Sequence, residues 1–176
     1  MDSFVLNTVH QIADCKIEDY YKLRNILVGN KDIPKEVVSA ALLKTYRRRI
    51  SREKVNSTNS FCLLSAMTHF ATPECSSLLE ELLYNPILLE TKCRSIRCAI
   101  IEMTGKVGNR EAIIALKNFQ GKARRIKYTK EITTKIVSIG LFDEKVIRTL
   151  SPQDLLDLDA ACINKALLNY SARNST

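Results

Sequence analysis

Tryptophan is absent from this chain, and its 176 residues include only five glycines, four prolines and eleven phenylalanines and tyrosines together. So little Gly and Pro, with 45% hydrophobic and 26% charged residues, excludes a disordered or linker-rich chain. Apolar runs are as short as residues 40–43, far below the roughly 20 residues a membrane-spanning helix needs. Met1-Asp2-Ser3 supplies no basic segment, and Asp14 and Lys16 interrupt any secretory core, so a cytoplasmic protein is expected. There is no glycine-rich phosphate loop, no H-E-x-x-H, no EF-hand pattern and no C-x-x-C pair. The six cysteines (Cys15, Cys62, Cys75, Cys93, Cys98 and Cys162) are expected to be buried free thiols, with no metal and no cofactor. His10 and His69 fall on different helices with no nucleophile beside them, and adjacent Glu80 and Glu81 point about 100° apart on a helix. The expectation is a protein without enzymatic activity.

Only residues 135–137 hint at strand-like β-branching, so the chain reads as all-α, with about eight to ten helices in a single domain over residues 1–176. Helical spacing of Val5, Val9 and Ile12 places a first helix over residues 3–14, and a second runs over residues 17–28 before Gly29 and Asn30. A third starts with Pro34 in its first turn, where a missing N–H costs nothing, and runs to residue 49. The polar segment 56–60 is a loop. Thr72 then caps a helix with Pro73 in its first turn, which ends near Tyr84 where Asn85-Pro86 breaks it.

Residues 61–82 echo at 98–119, thirty-seven positions on. Phe61, Leu63, Leu64, Phe70, Cys75, Leu79 and Leu82 fall on Cys98, Ile100, Ile101, Val107, Ala112, Leu116 and Phe119, apolar or small at every position. The clearest repeats therefore span 60–84 and 97–121, each a pair of helices; in the second, residues 105–109 form the turn and Asn109 the cap. A looser third copy aligns Ile132, Val137, Val146 and Leu150. Ser151-Pro152-Gln153-Asp154 opens a last helix whose Leu155, Leu156, Leu158, Ala161, Ile163, Leu167 and Leu168 close the stack, leaving 171–176 as a frayed tail. Such repeats bury their apolar faces only by stacking, and the stack presents an extended binding surface.

Charge suggests what that surface meets. Twenty-seven Lys and Arg against nineteen Asp and Glu give a net charge of +8, and the basic residues cluster twice. Lys44, Arg47, Arg48, Arg49, Arg52 and Lys54 form one group; Lys117, Lys122, Arg124, Arg125, Lys127 and Lys130, with Tyr128 among them, form the other. Both follow helix C-termini, where cations complement the dipole. Both also offer Arg and Tyr, the residues favoured at binding hot spots. The expected partner-binding residues are Arg47, Arg48, Arg52, Arg124, Arg125, Lys127, Tyr128 and Lys130.

The segments Thr72-Pro73-Glu74-Cys75 with Leu79 and Leu82, and Asn109-Arg110-Glu111-Ala112 with Leu116 and Phe119, resemble HEAT-type repeats. That resemblance covers about 60 residues and implies antiparallel helix pairs stacked in a right-handed α-α superhelix, second helices lining the concave face. Size and build also resemble small helical bacterial immunity proteins, including those of contact-dependent inhibition. This resemblance implies a protein partner with an acidic or mixed surface, such as a toxin domain, neutralised by occlusion of its active site. The positive charge departs from the acidic immunity proteins that block basic nucleases. The alternative is a nucleic-acid-binding HEAT-like protein without catalysis, similar in outline to alkylpurine DNA glycosylases, whose Trp-lined pocket this chain lacks.

Overall fold

The computed structural model describes residues 3–51, 54–128 and 151–175, and every regular element among them is helical. In chain order these are α1 (Ser3–Asp14), α2 (Ile17–Gly29), α3 (Lys35–Arg49), α4 (Thr58–Phe70), α5 (Ser76–Leu83), α6 (Arg94–Val107), α7 (Arg110–Ala123) and α8 (Pro152–Arg173). Short 3-10 turns at Pro73–Cys75, Pro86–Leu89 and Thr91–Cys93 lead into α5 and α6. The third copy expected at 132–150 lies outside the described residues.

Local chemistry sets most boundaries. Asn109 Oδ1 accepts from Ala112 N at 2.9 Å, and Asn85 Oδ1 from Ile87 N at 3.1 Å, satisfying amides that have no intrahelical partner. Ser151 and Asp154 form a reciprocal capping box, Asp154 N donating to Ser151 Oγ and Ser151 N to Asp154 Oδ2. Three expectations shift. Pro34 is the cap rather than a first-turn residue, its ψ of 135° being extended. Helix α4 starts inside the predicted loop, because Ser57 Oγ accepts from Ser60 N. Thr72 precedes its turn without capping it; its hydroxyl lies 2.9 Å from that of buried Ser39.

Helices of like rank stack on one another. α1 packs on α4, α4 on α6 and α6 on α8; in a second layer, α3 meets the turn before α5, and α5 packs on α7. α3 runs parallel to α5 and α6 to α8, whereas α1 runs against α4, the Ala13 carbonyl at its end accepting from Asn59 at the start of α4. Ser39 reaches Thr72 and Cys75 while Arg47 reaches Ser77 and Glu81, and Arg94 and Arg97 meet Asp159 while Gly105 meets Ala166. Ser76 Oγ donates to Val107 O at 3.0 Å, placing the start of α5 against the turn from which α7 departs.

The core follows the repeat. Leu63, Leu64, Cys75, Leu79 and Leu82 are buried, as are Ile100, Ile101, Ala112, Leu116 and Phe119; Phe70 and Val107 are both half-buried, and only Phe61 and Cys98 differ in class. Full burial of a side chain such as Leu79 or Leu116 is worth about 1.5 to 3 kcal/mol of transfer free energy. Gly105, expected in a turn, lies inside α6. A Cβ there would come within 2.6 Å of Ala166 Cα, so its missing side chain lets α8 pack directly on the α6 backbone. The helix ends at Gly108 instead. On α8 the buried residues are Leu155, Asp159, Ile163 and Ala166, whereas Ala161 and Leu168, expected to close the stack, are exposed. The helix also runs to Arg173, past the predicted frayed end, where Arg173 donates to the carbonyls of Lys106 and Gly108.

Candidate functional site

Three consecutive arginines close α3, and successive helical residues point about 100° apart, so a cluster contiguous in sequence must divide in space. Arg47 turns toward α5, where its Nη2 lies 3.1 Å from Glu81 Oε1 and donates to Ser77 Oγ at 2.9 Å. Arg48 and Arg49 turn toward α1. With Leu6, His10, Lys44 and Thr45 they line a groove of about 500 Å³, and Arg49 also pairs with Asp14. Arg52 lies outside the described residues.

At the end of α7 the chain leaves the helix with side chains alternating in and out: Arg124, Arg125 and Lys127 are exposed, Ile126 and Tyr128 buried. Arg124 borders a groove of about 300 Å³ shared with Gln153, Leu156 and Asp157 of α8. Lys130 lies outside the described residues. The expectation that Tyr128 offers itself to a partner is corrected by its position. The side chain is only 7% exposed, because its ring and hydroxyl complete a buried polar cluster.

Through Arg47, which reaches Glu81 and Ser77, the basic end of α3 meets the C-terminal half of α5. That half is of opposite sign. Glu80, Glu81 and Tyr84, with Ser77 and Asn85, line a groove of about 560 Å³, and Tyr84 is 49% exposed. Basic Arg47 and an acidic groove carrying an exposed aromatic therefore lie side by side at this edge.

The buried cluster escaped the sequence reading. Asp159 of α8 receives Arg97 of α6 at 3.0 Å through Oδ2 and Arg94 Nε at 3.0 Å on Oδ1, and all three side chains are at most 3% exposed. Arg97 also donates to the carbonyls of Leu88 and Glu90 and to the Tyr128 hydroxyl, which in turn donates to Asp159. Burial pushes the Tyr128 phenol above its ordinary range, so it stays a donor. The signal was present: Arg97 is three and four residues before buried Ile100 and Ile101, and Asp159 lies midway between Leu155 and Ile163. A charge on an apolar stripe must find a partner or lose its ionisation. Here two helices supply each other's.

Comparison with known proteins finds no matching family model, no matching curated protein and no matching solved structure.

The remaining reactive groups are quiet. All six cysteines are free, and burial pushes the Cys62 thiol up to about 12 and Cys93 up to about 11. Cys98 and Cys162, on α6 and α8, hydrogen-bond to one another; the bond raises the first, as burial does, and lowers the second against the upward push of burial. His69 is held below its ordinary range by partial burial and by Arg24 and Lys106, which disfavours the imidazolium at the helix end. No group of three or more metal-ligating side chains occurs among the described residues, nor is any helix there long and apolar enough to cross a membrane.

Proposed function

We propose that this protein is a binding module without catalytic activity, whose partner is another protein and whose action is to cover it, as an immunity protein occludes the active site of a bacterial toxin. The mixed-sign edge where α3 meets α5 is the observation that supports the reading. Arg47 stands beside Glu81, next to the groove lined by Glu80 and the exposed Tyr84, and Arg124, Arg125 and Lys127 add exposed positive charge at the end of α7. A phosphate backbone laid along that edge would meet carboxylates, whereas a protein of mixed charge can match each sign in turn. Tyr and Arg are the side chains that most often anchor protein interfaces. Parallel packing of α3 beside α5 and of α6 on α8 supports reading the fold as a HEAT-like superhelix, with the second layer forming the binding face.

The test is capture by the tagged full chain from cells that carry it, with and without nuclease, beside the charge-reversed variant Arg124→Glu/Arg125→Glu. A stoichiometric protein that survives nuclease and is lost with the variant is the expected result. Capture of nucleic acid alone, abolished by digestion and steeply weakened by salt, would replace this reading with a nucleic-acid-binding one.

A further inference from the structure

We propose that the groove between α1 and α3 is a binding site for a small soluble phosphate monoester. This goes beyond the masking function, using the side of α3 that faces away from the mixed edge. Lys44, Arg48 and Arg49 line the groove beside His10, and no carboxylate lines it among the described residues. Asp14, outside the lining, pairs with Arg49 and offsets one of the three formal positive charges, leaving two. A monoester carries about −1.5 to −2 at neutral pH, which matches that excess. The chemistry of the donors agrees: guanidinium forks bind phosphate oxygens in pairs, a lysine adds a compact charge, and an imidazole N–H adds a further donor. Leu6, half-buried and packed on the core, gives the groove an apolar wall that an inorganic ion would leave unused and an organic ester would cover. The volume, about 500 Å³, suits a small organic ligand.

His10 and Arg48 are distant in sequence and give no motif; α1 packing on α3 brings them together.

Isothermal titration of the full chain with phenyl phosphate, at fixed ionic strength, tests the site. One saturable site is expected, weakened at least about tenfold in Lys44→Gln/Arg48→Gln, as loss of charged hydrogen bonds predicts, and unchanged in Arg124→Gln/Arg125→Gln. Both variants alter exposed side chains, and an unchanged helical melt by circular dichroism verifies their folding. Equal affinity in the first variant, or no saturable binding, overturns the site. Equal displacement by sulfate overturns the assignment to an ester, and binding only to phosphatidic-acid vesicles overturns a soluble ligand. Capture of the protein partner is read with the Arg124/Arg125 variant, so the two proposals fail separately.

Discussion

Two of the meetings between arginine and carboxylate among the described residues have opposite consequences. Between α6 and α8, Arg94 and Arg97 share Asp159 with all three groups withdrawn from water. At the edge of the second layer Arg47 meets Glu81 with both side chains more than two-fifths exposed. The distances are nearly the same, so separation does not distinguish them. Solvent does: in water the pair gains little and is screened, while in the core each charge depends on the other because water is withdrawn from it. The buried cluster holds the last helix to the stack, and the exposed pair leaves Arg47 free to exchange Glu81 for another carboxylate.

The sharpest test of that contrast is Asp159→Asn, which leaves two buried guanidinium groups against a neutral amide. It should cost about 3 to 5 kcal/mol in urea denaturation; a cost under about 1 kcal/mol would mean that water reaches the cluster. Leu79→Ala or Leu116→Ala should cost about 2 to 5 kcal/mol through lost burial and a residual cavity, and an unchanged melting midpoint would remove the repeat register. Gly105→Ala should cost about 1 to 3 kcal/mol, since the added methyl must displace the α8 backbone and not a flexible side-chain end. Arg47→Gln should cost no more than about 1 kcal/mol while weakening partner capture. A larger loss would move Arg47 into the structural class.

The smallest effect concerns pH. His69 has a folded-state pKa below its unfolded value, so the unfolded chain binds more protons between the two. Its contribution to stability is complete above the unfolded value near 6.5, and is lost as pH falls toward the folded value. A denaturation series across that window should lose this slope in His69→Gln.

What could be read beforehand depended on how local the cause was. Caps at Asn109 and Ser151 were legible because a side chain satisfies amides two or three residues away. The 37-residue echo placed fourteen residues, and their burial agrees at nearly every pair because each occupies the same position in a stacked unit. Thr72 and Gly105 were misread for the same reason as each other. Thr72 looks like a cap and Gly105 like a turn until Ser39 and Ala166 arrive from elsewhere in the chain. Of the expected binding residues, Arg47, Arg48, Arg124, Arg125 and Lys127 are exposed, but Tyr128 is turned inward because Arg97 and Asp159 offer it hydrogen bonds that a surface position lacks.

By itself the sequence determined that this chain is helical, where most of its helices begin, and which faces of the two repeats are apolar, since these follow from 3.6-residue periodicity and from caps within a few residues. Tertiary structure alone decided that Asp159 pairs with Arg94 and Arg97 of α6, that Cys98 meets Cys162, and that the arginines closing α3 separate toward α5 and α1. Each of those depends on residues distant in the chain, and a charge or a thiol is given its role by whatever partner, or water, the packing of the helices places beside it.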